Sequence, residues 1–344
     1  IAPLFDGSLD IIGDVHGEIG PLRELLHALG YNPRGVHPVG RRLIFVGDLF
    51  DRGPDSPAVF TLVRDLMARG LAQCVLGNHE LNLIRGASKS GNRWFIDPAH
   101  EEQQAGGEFE HCRALPVELR AELLAFLDSV PIALEREDLR VVHAAWRRID
   151  IEALRPDARN TLQFYVDYEA ETLSDLTHSG IDAAADAEER RWQHALYDRE
   201  AVVPLLPALG LSDERYQMGN PLRVVTSGVE RVAIEPFWAS GKWRMCDRVR
   251  WWNHYDQPVP VVIGHYWRKA TPVATSEHAS SKPDLFAGVL PSDWLGVRNN
   301  VFCVDFSIGA RYQERKAGLA QFATHLGAMR WPERELWFET GAFR

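Results

Sequence analysis

Leu9-Asp10-Ile11-Ile12-Gly13-Asp14-Val15-His16-Gly17 runs from a short apolar stretch straight into two metal-ligand side chains flanked by glycines. A run of this length closed by glycine reads as a buried strand. Gly20-Pro21 then opens a helix on which Leu22, Leu25, Leu26 and Leu29 share one face, and Gly30 ends it. The pattern recurs. Leu43 to Val46 reads as a second strand and leads into Gly47-Asp48-Leu49-Phe50-Asp51-Arg52-Gly53. Ser56-Pro57 caps a second helix, with Val59, Leu62, Val63, Leu66 and Met67 on one stripe and Gly70 after it. Cys74 to Leu76 reads as a third strand, followed by Gly77-Asn78-His79-Glu80. Strand–helix–strand–helix–strand predicts an α/β sheet with crossover helices. Each polar string then lies past the C-terminal end of a strand, where open α/β sheets bind ligands.

Composition narrows the classes of function. The 344 residues, 45% apolar and 25% charged, are those of a soluble globular chain holding one large domain or two small ones. A net charge of −10 argues against a sequence-independent grip on a nucleic-acid backbone. It leaves a phosphate ligand open, because bound cations reverse the local sign. Cys74, Cys112, Cys246 and Cys303 are far apart and read as reduced thiols of a cytoplasmic protein. No stretch approaches the roughly 20 apolar residues of a membrane span. Ile1 stands where a Met opens a complete chain, so an incomplete N-terminus is expected, and a removed signal peptide stays open.

Farther along, two strand-like runs end in histidine: Leu139 to His143, and Val259 to Ile263 before Gly264-His265. Runs at Val301–Phe306, Leu319–Thr324 and Glu335–Phe338 read as strands of a second, more antiparallel layer. Gly86–Gly107 reads as a long loop near the site. Residues 147–200 hold 7 Arg and 13 Asp/Glu, a net of −6. A solvated helical segment is the economical account of that charge, and a lid or partner surface is the other. Trp238, Trp243, Trp251 and Trp252 interleave with Lys242, Arg244, Arg248 and Arg250. They read first as core tryptophans under a charged edge, and second as a wall for a nucleobase. His100, His111, His178, His194 and His278 read as surface or structural residues, and neither Ser56 nor Ser227 has a nucleophile's context.

The side chains of the three strings suit borderline divalent metals. Asp14 and His16, two residues apart, can converge on one ion. Asp48 has two carboxylate oxygens and can bridge two ions. Asn78 offers a neutral oxygen, and His143 and His265 complete the ligands of the second ion. Two metals about 3.5–4 Å apart clamp a phosphate and generate hydroxide near neutral pH.

The order and identity of these motifs resemble the phosphoprotein-phosphatase branch of the calcineurin-like metallophosphoesterases, bacterial type. That pattern is GDxHG, GDxxDRG, GNHE and two later histidines, spread here from Asp14 to His265. The resemblance implies a β-sandwich flanked by helices, four layers α/β/β/α, in one domain over 1–344 with a mainly helical insertion around 147–235. It implies Asp14, His16 and Asp48 on the first metal, and Asp48, Asn78, His143 and His265 on the second, with Mn²⁺ the expected ion and Fe or Zn admissible. Arg52 would bind phosphate, His79 would be the general acid and Asp51 its orienting carboxylate. A metal-bridging hydroxide would attack phosphorus without a covalent phosphoenzyme. The first substrate expectation is a phosphomonoester of the Ser/Thr phosphatase type. The second is a dinucleoside polyphosphate, as for a bis(5'-nucleosyl)-tetraphosphatase, and the non-enzymatic alternative is a metal-binding scaffold without turnover. The chain departs from the pattern in Ala144-Ala145-Trp146 after the first late histidine, and in the 122 residues from His143 to His265. The family places a second phosphate-binding arginine before its last histidine; Arg244, Arg248 and Arg250 are all candidates.

Overall fold

Two β-sheets stack face to face, and the two-residue period of their strands decides which side chains meet between them. The computed structural model describes residues 1–87, 89–96, 112–155, 159–272 and 284–343. The first half carries β1 (Ala2–Pro3), β2 (Leu9–Ile12), α1 (Ile19–Ala28), β3 (Arg42–Phe45), α2 (Ser56–Ala68), β4 (Ala72–Cys74), α3 (Asn78–Ile84), α4 (Arg93–Ile96), α5 (Arg120–Ser129), β5 (Ala133–Arg136) and β6 (Leu139–Val142). Five helices follow: α6 (Arg148–Leu154), α7 (Thr161–His178), α8 (Ile181–Leu196), α9 (Pro207–Met218) and α10 (Pro221–Ser227). The remainder holds β7 (Glu230–Ala239), β8 (Lys242–Arg248), β9 (Val261–Ile263), β10 (Val301–Cys303), β11 (Asp305–Phe306), α11 (Arg311–Lys316), β12 (His325–Trp331), β13 (Glu335–Phe338) and β14 (Gly341–Ala342).

One sheet has the order β14-β13-β12-β2-β3-β4, with β11 on β12; the other has the order β1-β5-β6-β9-β10. Leu9 and Ile11 of β2, Ile44 of β3, Leu139 and Val141 of β6, Val262 of β9 and Phe302 of β10 form the core between them. Their neighbours Ile12, Leu43, Phe45, Val142, Val261, Ile263 and Val301 point the other way, into the core beneath the helices. Strands buried on both faces explain the unbroken apolar runs. Asp10 is the exception. It is fully buried in β2 but neutralised, accepting from Arg41 at 3.1 Å, Arg330 at 3.0 Å and the Tyr31 hydroxyl at 2.9 Å.

Several expectations are revised. The late strands are not a separate layer: β12 pairs antiparallel with β2 and extends the N-terminal sheet, whereas β10 joins β9 in the other. Leu319–Thr324 is not a strand; β12 begins at His325, because the Glu314 carboxylate takes the backbone N–H groups of Ala323 and Thr324. Asp55, not Ser56, caps α2, its side chain accepting from Ala58 N–H at 2.9 Å. The stretch read as a loop over Gly86–Gly107 contains α4, and residues 97–107 lie outside the described residues.

Asn160 caps α7 through the Gln163 amide, and the Asp182–Arg191 part of α8 is largely exposed. Facing residues of α8, α9 and the β7–β8 hairpin build a small core of their own from Ala185, Leu196, Leu206, Leu209 and Met245, with Trp192 and Trp243 against it. No helix among the described residues is long and apolar enough to cross a membrane.

Candidate metal centre

β2, β3, β4, β6 and β9 all end at one edge of the sandwich, and the residues just past those ends converge. His16 Nε2 lies 3.9 Å from Asp14 Oδ2 and 3.8 Å from Asp48 Oδ2. On the other side of Asp48, His143 Nε2 stands 3.3 Å from Oδ2 and 3.2 Å from Asn78 Oδ1. His265 joins Asp48 and His143 in a second cluster of potential ligands, whose donor atoms lie within 4.8 Å of one another. Donors sharing an ion at bond lengths of about 2.1 Å stand roughly 3–3.5 Å apart, so these spacings need little adjustment.

The ring orientations are fixed from behind. His16 Nδ1 meets the Phe50 carbonyl at 3.1 Å and His143 Nδ1 meets that of Val46 at 2.7 Å. Each Nδ1–H donates to its carbonyl, which leaves Nε2 with a lone pair facing the cluster. His265 Nε2 is buried and has no hydrogen-bond partner among the described residues. A buried imidazole nitrogen beside the Asp48 carboxylate and the His143 ring is placed as a ligand atom would be, so the donor set fits divalent cations. The surrounding backbone leaves no slack. A Cβ at Gly264 would come 2.1 Å from Asp14 Oδ1, and one at Gly77 would come 2.4 Å from the Asp48 amide nitrogen.

Charge leads to the same conclusion. Asp14, Asp48, Glu80 and Asp305 are all buried, with too few cations among them. Burial, with Asp305 next to it, pushes the Asp14 carboxyl well up. Burial opposes ionisation of Asp48 too, but His143 and His79 outweigh it and hold Asp48 well below the usual range. Burial works against a proton on His143, yet Asp48 prevails and raises it to about 10. His16 and His265 are pushed well down, by burial first and then by Arg52 and Arg248 respectively.

A pH signature follows. Without metal, His143 in the folded chain binds its proton more tightly than in the unfolded chain, and so does Asp14. Stability from the His143 proton is complete below the ordinary value of 6.5 and is lost as pH rises through about 10. The Asp14 effect has the same sign. The EDTA-treated protein is therefore expected to melt at a lower temperature at pH 9 than at pH 7. The rise in Tm on adding Mn²⁺ is expected to be larger at pH 9, since ions displace these protons. A metal-free Tm that increases from pH 7 to pH 9 contradicts the assignment of the His143 proton.

Beside the clusters lie the groups that pure metal binding does not need. His79 Nδ1 is 2.6 Å from Asp51 Oδ2, and the other Asp51 oxygen accepts from the Trp94 indole. Arg52 reaches His79 Nε2 at 3.1 Å and His16 Nε2 at 3.5 Å. Six of the ten non-glycine residues with positive φ among the described residues are here: His16, Asp48, Asp51, Arg52, His265 and Trp267. Strained backbone gathered at one place is a mark of function.

Sequence reasoning missed four supporting residues. Glu80 accepts backbone N–H groups from Asp48 and Leu49 at 2.8 Å and from Gly77 at 3.0 Å, so it holds the Asp48 loop. Its spacing from Gly77 is that of a capping box, a signal that was available. Glu80→Ala is expected to leave three buried donors unpaired, cost about 3 kcal/mol and weaken metal affinity roughly 10–100-fold, measured by melting and metal titration. Trp94 comes from the helix concealed in the supposed loop. Asp305 accepts backbone N–H groups from Trp267 at 2.7 Å and Ser307 at 2.8 Å, and no motif marks it. Trp267 faces Arg52.

The earlier tryptophans serve packing. Trp251 and Trp252 are buried; Trp252 packs edge-on to Tyr266, which packs edge-on to His265. Trp238 and Trp243 meet at 5.9 Å on the β7–β8 hairpin. Of the three candidate arginines, Arg244 donates to Ala239 and Arg250 to Asp284, whereas Arg248 has its charge felt at His265. His178 and His194 are exposed, and His100, His111 and His278 lie outside the described residues.

Residues 8–212 match the calcineurin-like phosphoesterase family. The bis(5'-nucleosyl)-tetraphosphatase PrpE [asymmetrical] of Halalkalibacterium halodurans is 35% identical over 190 residues, 53% of this chain and 75% of the relative. The protein of that name from Oceanobacillus iheyensis is 49% identical over 80 residues, 22% of this chain and 32% of the relative. A crystal structure of a cold-active protein-tyrosine phosphatase from a Shewanella species covers 98% of this chain and 78% of that one, at 15% identity and a TM-score of 0.45. The chain belongs to the calcineurin-like phosphoesterase family, whose members hold two divalent metal ions and hydrolyse phosphate-ester bonds.

Proposed function

We propose that this chain hydrolyses phosphate esters at the edge cluster, with Asp14, His16 and Asp48 holding one ion and Asp48, Asn78, His143 and His265 holding the other. Bound there, two divalent ions supply charge to the phosphoryl oxygens and make hydroxide available near neutral pH. The chain supplies the rest. The Arg52 guanidinium, which cannot lose its charge, grips two phosphate oxygens with its planar fork, and Arg248 adds a second positive charge beside His265. His79 gives a proton to the leaving oxygen from Nε2, because its Nδ1 is committed to Asp51 at 2.6 Å. Trp94 holds Asp51 from the other side. Attack is direct. Burial, then Asp51, pushes the Cys112 thiol up to about 12, and the Ser56 hydroxyl accepts from Asp51 N–H at 3.0 Å, so neither is a nucleophile.

The Asp51–His79–Arg52 arrangement carries this reading over a metal-binding scaffold, which needs none of the three. The substrate we favour is a dinucleoside polyphosphate. The names of the relatives support it, and so does the aromatic face of Trp267 beside Arg52. A Ser/Thr phosphomonoester is the second reading, supported by the GNHE string ending in Glu80. Mn²⁺ is the proposed ion, consistent with mixed carboxylate, imidazole and amide donors. The cytoplasm is the proposed location, and the four cysteines are free thiols. The segment 147–235 is proposed as an added helical unit; its α8 and α9 share a small core of their own with the β7–β8 hairpin, which supports that reading, while α6, α7 and α10 pack into the main core.

The test is a panel with the Mn²⁺-loaded chain: diadenosine tetraphosphate, a phosphoserine peptide and p-nitrophenyl phosphate. The expected result is turnover of all metal-accessible esters with the highest kcat/KM for the dinucleotide. Preference for the peptide favours the second substrate reading. Two bound ions with no turnover of any ester favour the scaffold.

A further inference from the structure

Trp267 sits two residues past His265 and is 36% exposed. Its neighbours are not: Tyr266 and Arg268 are buried on either side. Arg268 donates to the carbonyls of Leu290, Cys303 and Asp293, its N–H bonds Asp305 O at 3.0 Å, and its own carbonyl accepts from the Ser307 hydroxyl at 2.9 Å. The segment is therefore locked, and the outward indole is a fixed feature of it. The backbone there is also strained, at φ +57°, a left-handed conformation that a bulky aromatic rarely adopts. Asp305 secures it by accepting the Trp267 N–H at 2.7 Å.

A locked, strained and exposed tryptophan contributes nothing to the core. What it does touch is Arg52, whose guanidinium carbon lies 4.8 Å from the ring centroid. Arg52 is the phosphate-gripping residue of the proposed function, and this inference rests on that reading. Part of the indole meets the arginine, and about a third of the residue stays open to solvent. A planar group carried on a phosphate held by Arg52 is thereby brought to an aromatic surface. We infer that Trp267 is a stacking platform for the nucleobase of a nucleotide substrate, and that it sets the preference for nucleotides over alkyl phosphates.

Base–aromatic stacking is sequence-tolerant and weakens binding on loss by roughly 10–100-fold. The test compares the Mn²⁺-loaded wild type with Trp267→Phe and Trp267→Leu. Leucine keeps apolar bulk but has no π face, and both variants avoid emptying the site. Kinetics give kcat/KM for diadenosine tetraphosphate, p-nitrophenyl phosphate and glycerol 2-phosphate. Calorimetry gives Kd for adenosine 5'-monophosphate and for inorganic phosphate. In Trp267→Leu, the ratio of dinucleotide to glycerol-phosphate kcat/KM is expected to fall about 10–100-fold. The Kd ratio for the mononucleotide against phosphate is expected to shift equally, and Trp267→Phe to retain both ratios within about threefold. Equal losses for every ligand make Trp267 a mere prop for Arg52 and overturn the inference. Unchanged ratios, or a loss confined to p-nitrophenyl phosphate, also overturn it. Calorimetry separates this from the proposed function: a wild type that turns over no ester, but binds the mononucleotide through Trp267, refutes the activity and upholds the platform.

Discussion

Asp48→Asn is expected to strip the chain of both ions and to lower kcat/KM by at least about 10³-fold. The reason lies in its position. Asp48 Oδ2 is 3.8 Å from His16 Nε2, 3.9 Å from His79 Nε2 and 3.3 Å from His143 Nε2, so one carboxylate serves both halves of the cluster. Asparagine has nearly the same shape but one oxygen and no charge, and its amide group turns donors toward imidazole lone pairs. The backbone around it is held independently by Glu80, so the variant is expected to fold. Metal content and a melting curve on one sample check this. An Asp48→Asn protein that keeps both ions and within about tenfold of wild-type activity shows that the carboxylate is not shared.

His79→Asn is expected to behave in the opposite manner, retaining both ions while lowering kcat by about 10²–10⁴-fold for an alkyl leaving group. With p-nitrophenyl phosphate the loss is expected to be much smaller, since that leaving oxygen departs without needing a proton. KM is expected to stay within a few-fold for both esters, because no phosphate contact is removed. The structure contains a rival reading: His79 lies in one potential ligand cluster with His16 and Asp48. Two observations disfavour it. Nδ1 is committed to Asp51 at 2.6 Å, and the cationic Arg52 guanidinium stands 3.1 Å from Nε2, where a metal ion would be repelled. A His79→Asn protein that loses an ion along with activity would make His79 a ligand and leave the leaving group without its acid.

How far the sequence carried depends on how local each signal was. The three N-terminal strings were legible because ligand, glycine and preceding strand are contiguous, and the parallel β2–β3–β4 order follows from helices between strands. Strand ends shifted by one or two residues, as at β4, because the apolar run Cys74–Leu76 continues past the last ladder bond. Pairing partners were not legible. Nothing local to His325–Trp331 says that it lies against β2, more than 300 residues away. A shorter separation hid Asp305, whose meaning depends on Trp267 38 residues earlier. Trp94 was hidden because four helical residues in a polar stretch carry too little periodicity to register. The tryptophan that faces the site is a lone residue after His265, whereas the conspicuous cluster at 238–252 packs the interior and the hairpin. The cluster at 238–252 was read first as packing, and Trp251 and Trp252 are buried; only the fold shows which indole faces Arg52.

We propose that two ions and the Asp51–His79–Arg52 group act together on a phosphate ester. A titration of the metal-free protein with Mn²⁺, following bound equivalents and dinucleotide hydrolysis in the same samples, tests it most directly. Saturation is expected at two equivalents, with turnover appearing only as the second ion binds. Saturation at one equivalent with full activity, or turnover by the metal-free chain, contradicts it.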